Sequence, residues 1–128
     1  MQLGTQEYTI HPLTAFEQFD LHRKVTPDVL LTLDGAENLG QQVAVISTFL
    51  NRLGKEDAQY VRDVSLSHVS RDDHKNRVIT NGVLAYDDIG LFAVDALIAA
   101  VLKDSLGDFT KELATYLPGG PVQNAGAS

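Results

Sequence analysis

The chain is 128 residues long, contains no cysteine and carries a net charge of −7, with 10 Lys and Arg set against 17 Asp and Glu. A domain of this length buries roughly two-thirds of its unfolded surface, and 44 % hydrophobic residues suit a packed chain rather than a disordered one. Missing thiols exclude a disulfide framework, a thiol nucleophile and thiolate metal ligands, while the acidic balance opposes the counterion release that drives nucleic-acid binding.

The opening Met1 to Tyr8 has neither the basic start nor the apolar run of a secretory signal. Glu7 to His11 alternates polar and apolar residues up to Pro12, which predicts a short strand with Tyr8 and Ile10 on one side. Thr14 then starts a helix, with Glu17 placed to close a capping box. That helix runs to about Val25, shows Phe16 and Phe19 on one face, and ends in the one basic cluster, His22-Arg23-Lys24. Thr26-Pro27 restarts it, with proline at the first helical position, where its missing N–H is no loss. Val29, Leu30 and Leu33 follow as a short second helix.

Asp34-Gly35-Ala36-Glu37 repeats the capping pattern and predicts a longer helix with Leu39, Val43, Ile46, Leu50 and Leu53 at helical spacing, stopping near Gly54. Glu56 and Asp57 suit the positive end of the next helix, whose apolar face is Val61, Val64 and His68 with Tyr60 alongside. Ser70 to Arg77 holds no apolar residue and is expected to be a surface loop. Asn81-Gly82, between two β-prone stretches of Val78 to Tyr86, predicts a hairpin with a type I′ turn. Two strands alone are marginal, so the Tyr8–Ile10 strand is expected to join them. Asp87-Asp88 is expected to cap the last long helix, with a stripe of Leu91, Val94, Ile98, Val101 and Leu102 ending at Gly107. That stripe, interrupted by Asp95, is too short to span a bilayer, and the expected location is the cytoplasm. Asp108 would cap a last turn or two with Phe109, Leu113 and Leu117, before a flexible tail, 118–128. The fold class expected is mainly α with a small antiparallel β-sheet (α+β): a compact bundle of short helices beside two or three short strands, in a single domain over 1–117.

No constellation of residues carries catalysis convincingly. His11, His22, His68 and His74 lie on separate segments and match no metal-binding spacing. Asp72-Asp73-His74 offers suitable ligand types, yet its loop has no glycine for a sharp turn, and a solvated charge run explains it more simply. Asp87 and Asp88 read as a helix cap before they read as an acid/base pair. No serine sits in G-x-S-x-G and no glycine run cradles phosphate. No metal, cofactor or catalytic residue is therefore assigned. The stripes containing Phe16, Phe19, Leu91 and Val94 are expected to be core. Residues on their flanks, Val45, Phe49, Phe92 and Leu97, are the candidates for contact with an apolar partner helix.

Two stretches together resemble a family of tail assembly chaperones from long-tailed phages and prophages. Tyr8-Thr-Ile-His-Pro-Leu-Thr-Ala-Phe-Glu-Gln-Phe-Asp, continuing to Arg23-Lys24 and Pro27, resembles its start; Gly82-Val-Leu-Ala-Tyr-Asp-Asp-Ile, with Leu102-Lys-Asp-Ser-Leu-Gly-Asp-Phe109, resembles its C-terminal half. The motif positions are Pro12, Leu13, Thr14, Phe16, Phe19 and Arg23, then Gly82, Tyr86, Asp87, Asp88, Ile89 and Gly107; between them, Leu30 to Arg77 matches as helix pattern plus Arg71. The chain departs from the family in having no tryptophan, with Val78 and Ile79 where larger aromatics are usual. The resemblance implies a non-enzymatic protein that coats the aggregation-prone tape measure protein, helps recruit tail tube subunits and is absent from the finished particle. Tape measure and tail tube proteins would be its partners, with self-association in addition and with neither nucleic acid nor membrane. It also implies a longer minor product made by frameshifting near Pro118-Gly119-Gly120-Pro121. The alternatives are a structural tail component, such as a terminator or connector that stays in the particle, a small bacterial adaptor, and an enzyme using Asp87, Asp88 and His74.

Overall fold

The computed structural model describes residues 1–71 and 76–116. The expectations for Asp72, Asp73, His74 and Leu117, and for the tail 118–128, lie outside the described residues. The chain runs β1 (Gln2–Leu3), β2 (Gln6–Ile10), α1 (Ala15–Lys24), α2 (Pro27–Asp34), α3 (Leu39–Arg52), α4 (Lys55–Leu66), β3 (Val69–Arg71), β4 (Asn76–Arg77), β5 (Ile79–Thr80), β6 (Val83–Leu84) and α5 (Leu91–Tyr116). This is the α+β class that the sequence predicts. No described helix is long and apolar enough to cross a membrane.

Local signals set the helix starts. Thr14 Oγ1 accepts from the Glu17 N–H at 3.2 Å while Glu17 Oε1 accepts from the Thr14 N–H at 2.9 Å, so the predicted capping box is formed. Thr26 stands at the cap of α2 with Pro27 at its first position, though the Thr26 side chain makes no capping bond. The cap of α3 is Asn38, not Asp34: its Oδ1 accepts from the Gln41 N–H at 2.9 Å. Asp34 instead ends α2, because Leu33 must stay helical to reach the core, where it is fully enclosed.

The sheet corrects two expectations. Ser70 and Arg71 belong not to a surface loop but to β3, which is buried throughout and lies between β2 and β4, antiparallel to both. Tyr8 faces Arg71 and Ile10 faces Val69, so β2 pairs with β3 rather than with the later hairpin. That hairpin, β5–β6, forms its own two-stranded sheet; Asn81 and Gly82 have φ of 52° and 78°, the two positive values of the predicted type I′ turn. It is tied to β3 through the Val78 N–H, which donates to the Val69 carbonyl at 2.9 Å.

α5 is the axis of the core, packing against α2, α3 and α4 and touching α1 and β2. Residues 95–99 are buried in succession, so the burial there is not confined to one stripe of the helix. Leu97, expected on a flank, is fully buried, whereas Leu91, expected in the stripe, is 76 % exposed. The helix does not stop at Gly107 but runs on to Tyr116. Leu106 and Thr110 are buried on either side of this glycine, and their packing outweighs its weak helix propensity.

Candidate functional site

The tightest polar assembly is centred on Arg71. Its Nη1 and Nη2 donate to the two carboxylate oxygens of Asp88 at 2.7 and 2.8 Å, and its Nε donates to Gln6 Oε1 at 3.1 Å. The guanidinium lies 4.3 Å from the Tyr86 ring centre and 6.0 Å from that of Tyr8. A buried arginine so held fixes the segment before α5 against the sheet through bidentate geometry and cation–π attraction. Asp88 therefore does not cap α5; the first turn closes on the Gly90 carbonyl, which accepts from the Val94 N–H at 3.0 Å. The Arg71 hydrogen bonds hold the Asp88 carboxyl below its ordinary value. A carboxylate kept anionic in this way is poorly suited to proton transfer at neutral pH. Asp87 beside it is exposed, and Ile89 is buried.

The histidines are dispersed and mostly engaged. His11 Nε2 lies 2.7 Å from Ser70 Oγ, and His68 Nε2 lies 2.9 Å from Glu17 Oε2 in the turn after α4. Burial pushes the Glu17 carboxyl up, but the His68 contact and the Thr14 bonds outweigh it, and the net shift is downward. His22 packs edge-on against Phe109 with ring centres 4.3 Å apart. Among the described residues, no group of three His, Cys, Asp or Glu is placed to hold a metal ion.

What the surface does offer is apolar. An open groove of about 520 Å³ runs between α2 and α3, with Val29, Val45, Phe49 and Leu53 along it and Lys24, Asp28 and Arg52 at its rim. Val45 and Phe49 are thus brought together, although Phe49 is 5 % exposed and belongs largely to the core. A second apolar surface surrounds the start of α5. One hollow of about 370 Å³ contains Leu66, Ile79, Val83 and Leu84. Another, of about 220 Å³, contains Leu50, Ala58, Leu91 and Ile98 with the carboxyl-bearing Asp95. The two hollows adjoin at Arg62 and Val94, and Phe92, a predicted contact, is 54 % exposed near by in sequence. Leu97, the remaining predicted contact, is inside the protein and unavailable to a partner.

The third apolar surface was not legible as one. Phe16 and Phe19 are not core: they are 85 % and 56 % exposed, with Arg23 5.6 Å from the Phe19 ring centre. Helix α1 carries two apolar faces and only one can meet the protein. Leu21, with Val25 after it and Leu13 before it, takes the interior. The signal that could have found this is the competition itself, since ten residues cannot bury both stripes.

Among the residues shared with the chaperone motifs, Leu13, Tyr86, Asp88 and Ile89 are structural, Thr14 and Gly82 set a cap and a turn, and Gly107 lies within a helix. Pro12, Phe16, Phe19, Arg23 and Asp87 face solvent. No curated protein and no solved structure matches the chain. A family model described as "phage tail assembly chaperone protein, TAC" matches residues 4–117, nearly the whole of it. A domain with apolar grooves fits that description, and the chain belongs to the phage tail assembly chaperone family.

Proposed function

We propose that this chaperone acts in the host cytoplasm without catalysis, holding the tape measure protein while tail tube subunits are recruited, and leaves before the particle is complete. Family membership supports the general role. The observation that carries the finer reading is the groove between α2 and α3, whose Val29, Val45, Phe49 and Leu53 present an apolar trough with a charged rim. Such a trough suits one face of an amphipathic helix, read as anchors at i, i+3/i+4 and i+7. The net charge of −7 adds solubility to whatever is bound. A long helical partner offers many sites, so modest affinity at each gives firm holding along the whole and still permits release.

Co-expression with the tape measure protein tests this. The wild-type chain is expected to move that protein into the soluble fraction, and Val45→Glu, which places a charge in the trough, is expected to abolish the effect without unfolding the chaperone. If the tape measure protein is equally insoluble with and without the wild type, the reading fails. Mass spectrometry of purified particles separates it from a retained tail component, which would be found there.

A further inference from the structure

The groove between α2 and α3 carries a charge pattern that its apolar floor does not require. On the α3 side the floor is Val45, Phe49 and Leu53, four residues apart and so on one face of that helix. Beside them Thr48 and Arg52, also four apart and both exposed, form the α3 wall. Across the floor Asp28 and Thr32, again four apart and exposed, form the α2 wall. Each wall is thus a threonine and a charge, and the two charges are opposite in sign. α2 and α3 lie side by side and are joined by residues 35–38. Asp28 at the start of α2 and Arg52 at the end of α3 therefore both belong to the groove end remote from that connection.

Lys24, the third charged residue of the groove, is already held by Asp57 at 2.9 Å and lies 5.2 Å from the Tyr60 ring centre. Asp28 and Arg52 make no ion pair among the described residues. Two uncommitted, unlike charges thus border one apolar trough from opposite sides. From Ala44 to Leu53, α3 runs along the groove for about 13 Å at 1.5 Å per residue. A bound helix with anchors from i to i+7 spans about 10 Å and fits that length.

We propose, resting on the tape measure reading, that the segment seated here is an amphipathic helix with unlike flanks. Its flank along α2 carries a base that meets Asp28, and its flank along α3 carries an acid that meets Arg52. The net charge of −7 alone would select a helix basic on both flanks; Arg52 repels such a helix and adds the requirement for acid. The apolar stripe does the holding, while the flanks decide which segments of a long partner fit and how each is turned about its axis. Exposed rim pairs contribute little affinity each, so their effect is selection among apolar stripes rather than strength.

Overlapping synthetic peptides covering the tape measure protein, titrated against the full chain by fluorescence anisotropy, test it. The peptides that wild type binds most tightly are expected to carry an apolar i, i+3/i+4, i+7 stripe with a base on one flank and an acid on the other. Arg52→Glu and Asp28→Lys alter exposed side chains, and far-UV circular dichroism checks that both remain folded. Each is expected to weaken these peptides about threefold to tenfold at low salt, with the loss shrinking in strong salt. Arg52→Gln and Asp28→Asn, which remove a charge without reversing it, are expected to lose less. Exchanging the peptide's flank acid for lysine is expected to restore tight binding to Arg52→Glu while weakening binding to wild type, a recovery that a purely structural role for Arg52 would not give. Reversed variants that bind like wild type, or an exchanged peptide that gains nothing on Arg52→Glu, would overturn the proposal and leave the groove reading standing. Val45→Glu separates the two: if it binds the peptides as wild type does, the groove is not the site and both fall.

Discussion

Asp95 and Arg71 are both buried charges, and the protein treats them in opposite ways. Arg71 is satisfied by Asp88, Gln6 and two aromatic rings, so its burial is compensated. Replacing it with methionine keeps much of the apolar stem but removes charge-assisted bonds and stacking. A loss of about 2–3 kcal/mol is expected from such bonds, read as a lower urea midpoint. Asp95 has no such support. Its carboxyl titrates above the ordinary 3.8 in the folded protein, so the folded state holds the proton longer than the unfolded chain does. Stability therefore falls as pH rises through 3.8 towards the folded value, and stays reduced above it. Asp95→Asn is expected to raise the melting temperature at neutral pH, with the gain vanishing well below pH 3.8; a variant no more stable than wild type at neutral pH contradicts this. Asp88 and Glu17 have the opposite sign. Their carboxyls are held below 3.8 and 4.5, so what they contribute is present above those values and lost as pH falls through the folded ones.

At the level of single elements, the sequence is most informative where the physics is local. The Thr14–Glu17 box, Pro27 at a helix start and the Asn81-Gly82 turn each depend on residues within four positions, and each forms. Where the outcome depends on distant partners the sequence misleads. Ser70-Arg71 looks like solvent-facing chain until β2 pairs with it and Asp88 neutralises it. Phe16 and Phe19 look like core until the Leu21 face of α1 turns inward instead. The surfaces around them were legible only as surplus apolar residues: Val45 lines the α2–α3 groove and Phe92 is exposed, whereas Leu97 is buried, and the hollow beside Asp95 needs the fold to exist at all. Gly107 is the clearest case of a local signal overruled. A side chain there would meet nothing within 4 Å, and its neighbours are helical. Gly107→Ala is therefore expected to stabilise the protein by about 0.5–1 kcal/mol, through higher helix propensity and a less flexible unfolded chain. Urea denaturation checks it, and destabilisation would show that the last turns of α5 bend in solution.

For the molecule as a whole, α5 decides how the protein comes apart. It is packed by α2, α3 and α4 and touched by α1 and β2, while contacts between the outer elements are fewer. An element shared in this way couples its neighbours, since none of them can keep its buried face once the shared helix leaves. Unfolding is then expected to be a single transition, with backbone and side-chain probes moving together. Leu97 is the place to test it, being fully buried in the middle of the run 95–99 that is buried in succession. Leu97→Ala removes packing with no route for the site to collapse around a rigid helix, and should cost about 2–5 kcal/mol. Far-UV dichroism and tyrosine fluorescence, followed in urea, should shift to a lower midpoint by the same amount. Midpoints that separate would mean that the sheet around Tyr8 survives loss of the helical core, and that the grooves rest on two independently folding parts rather than on one.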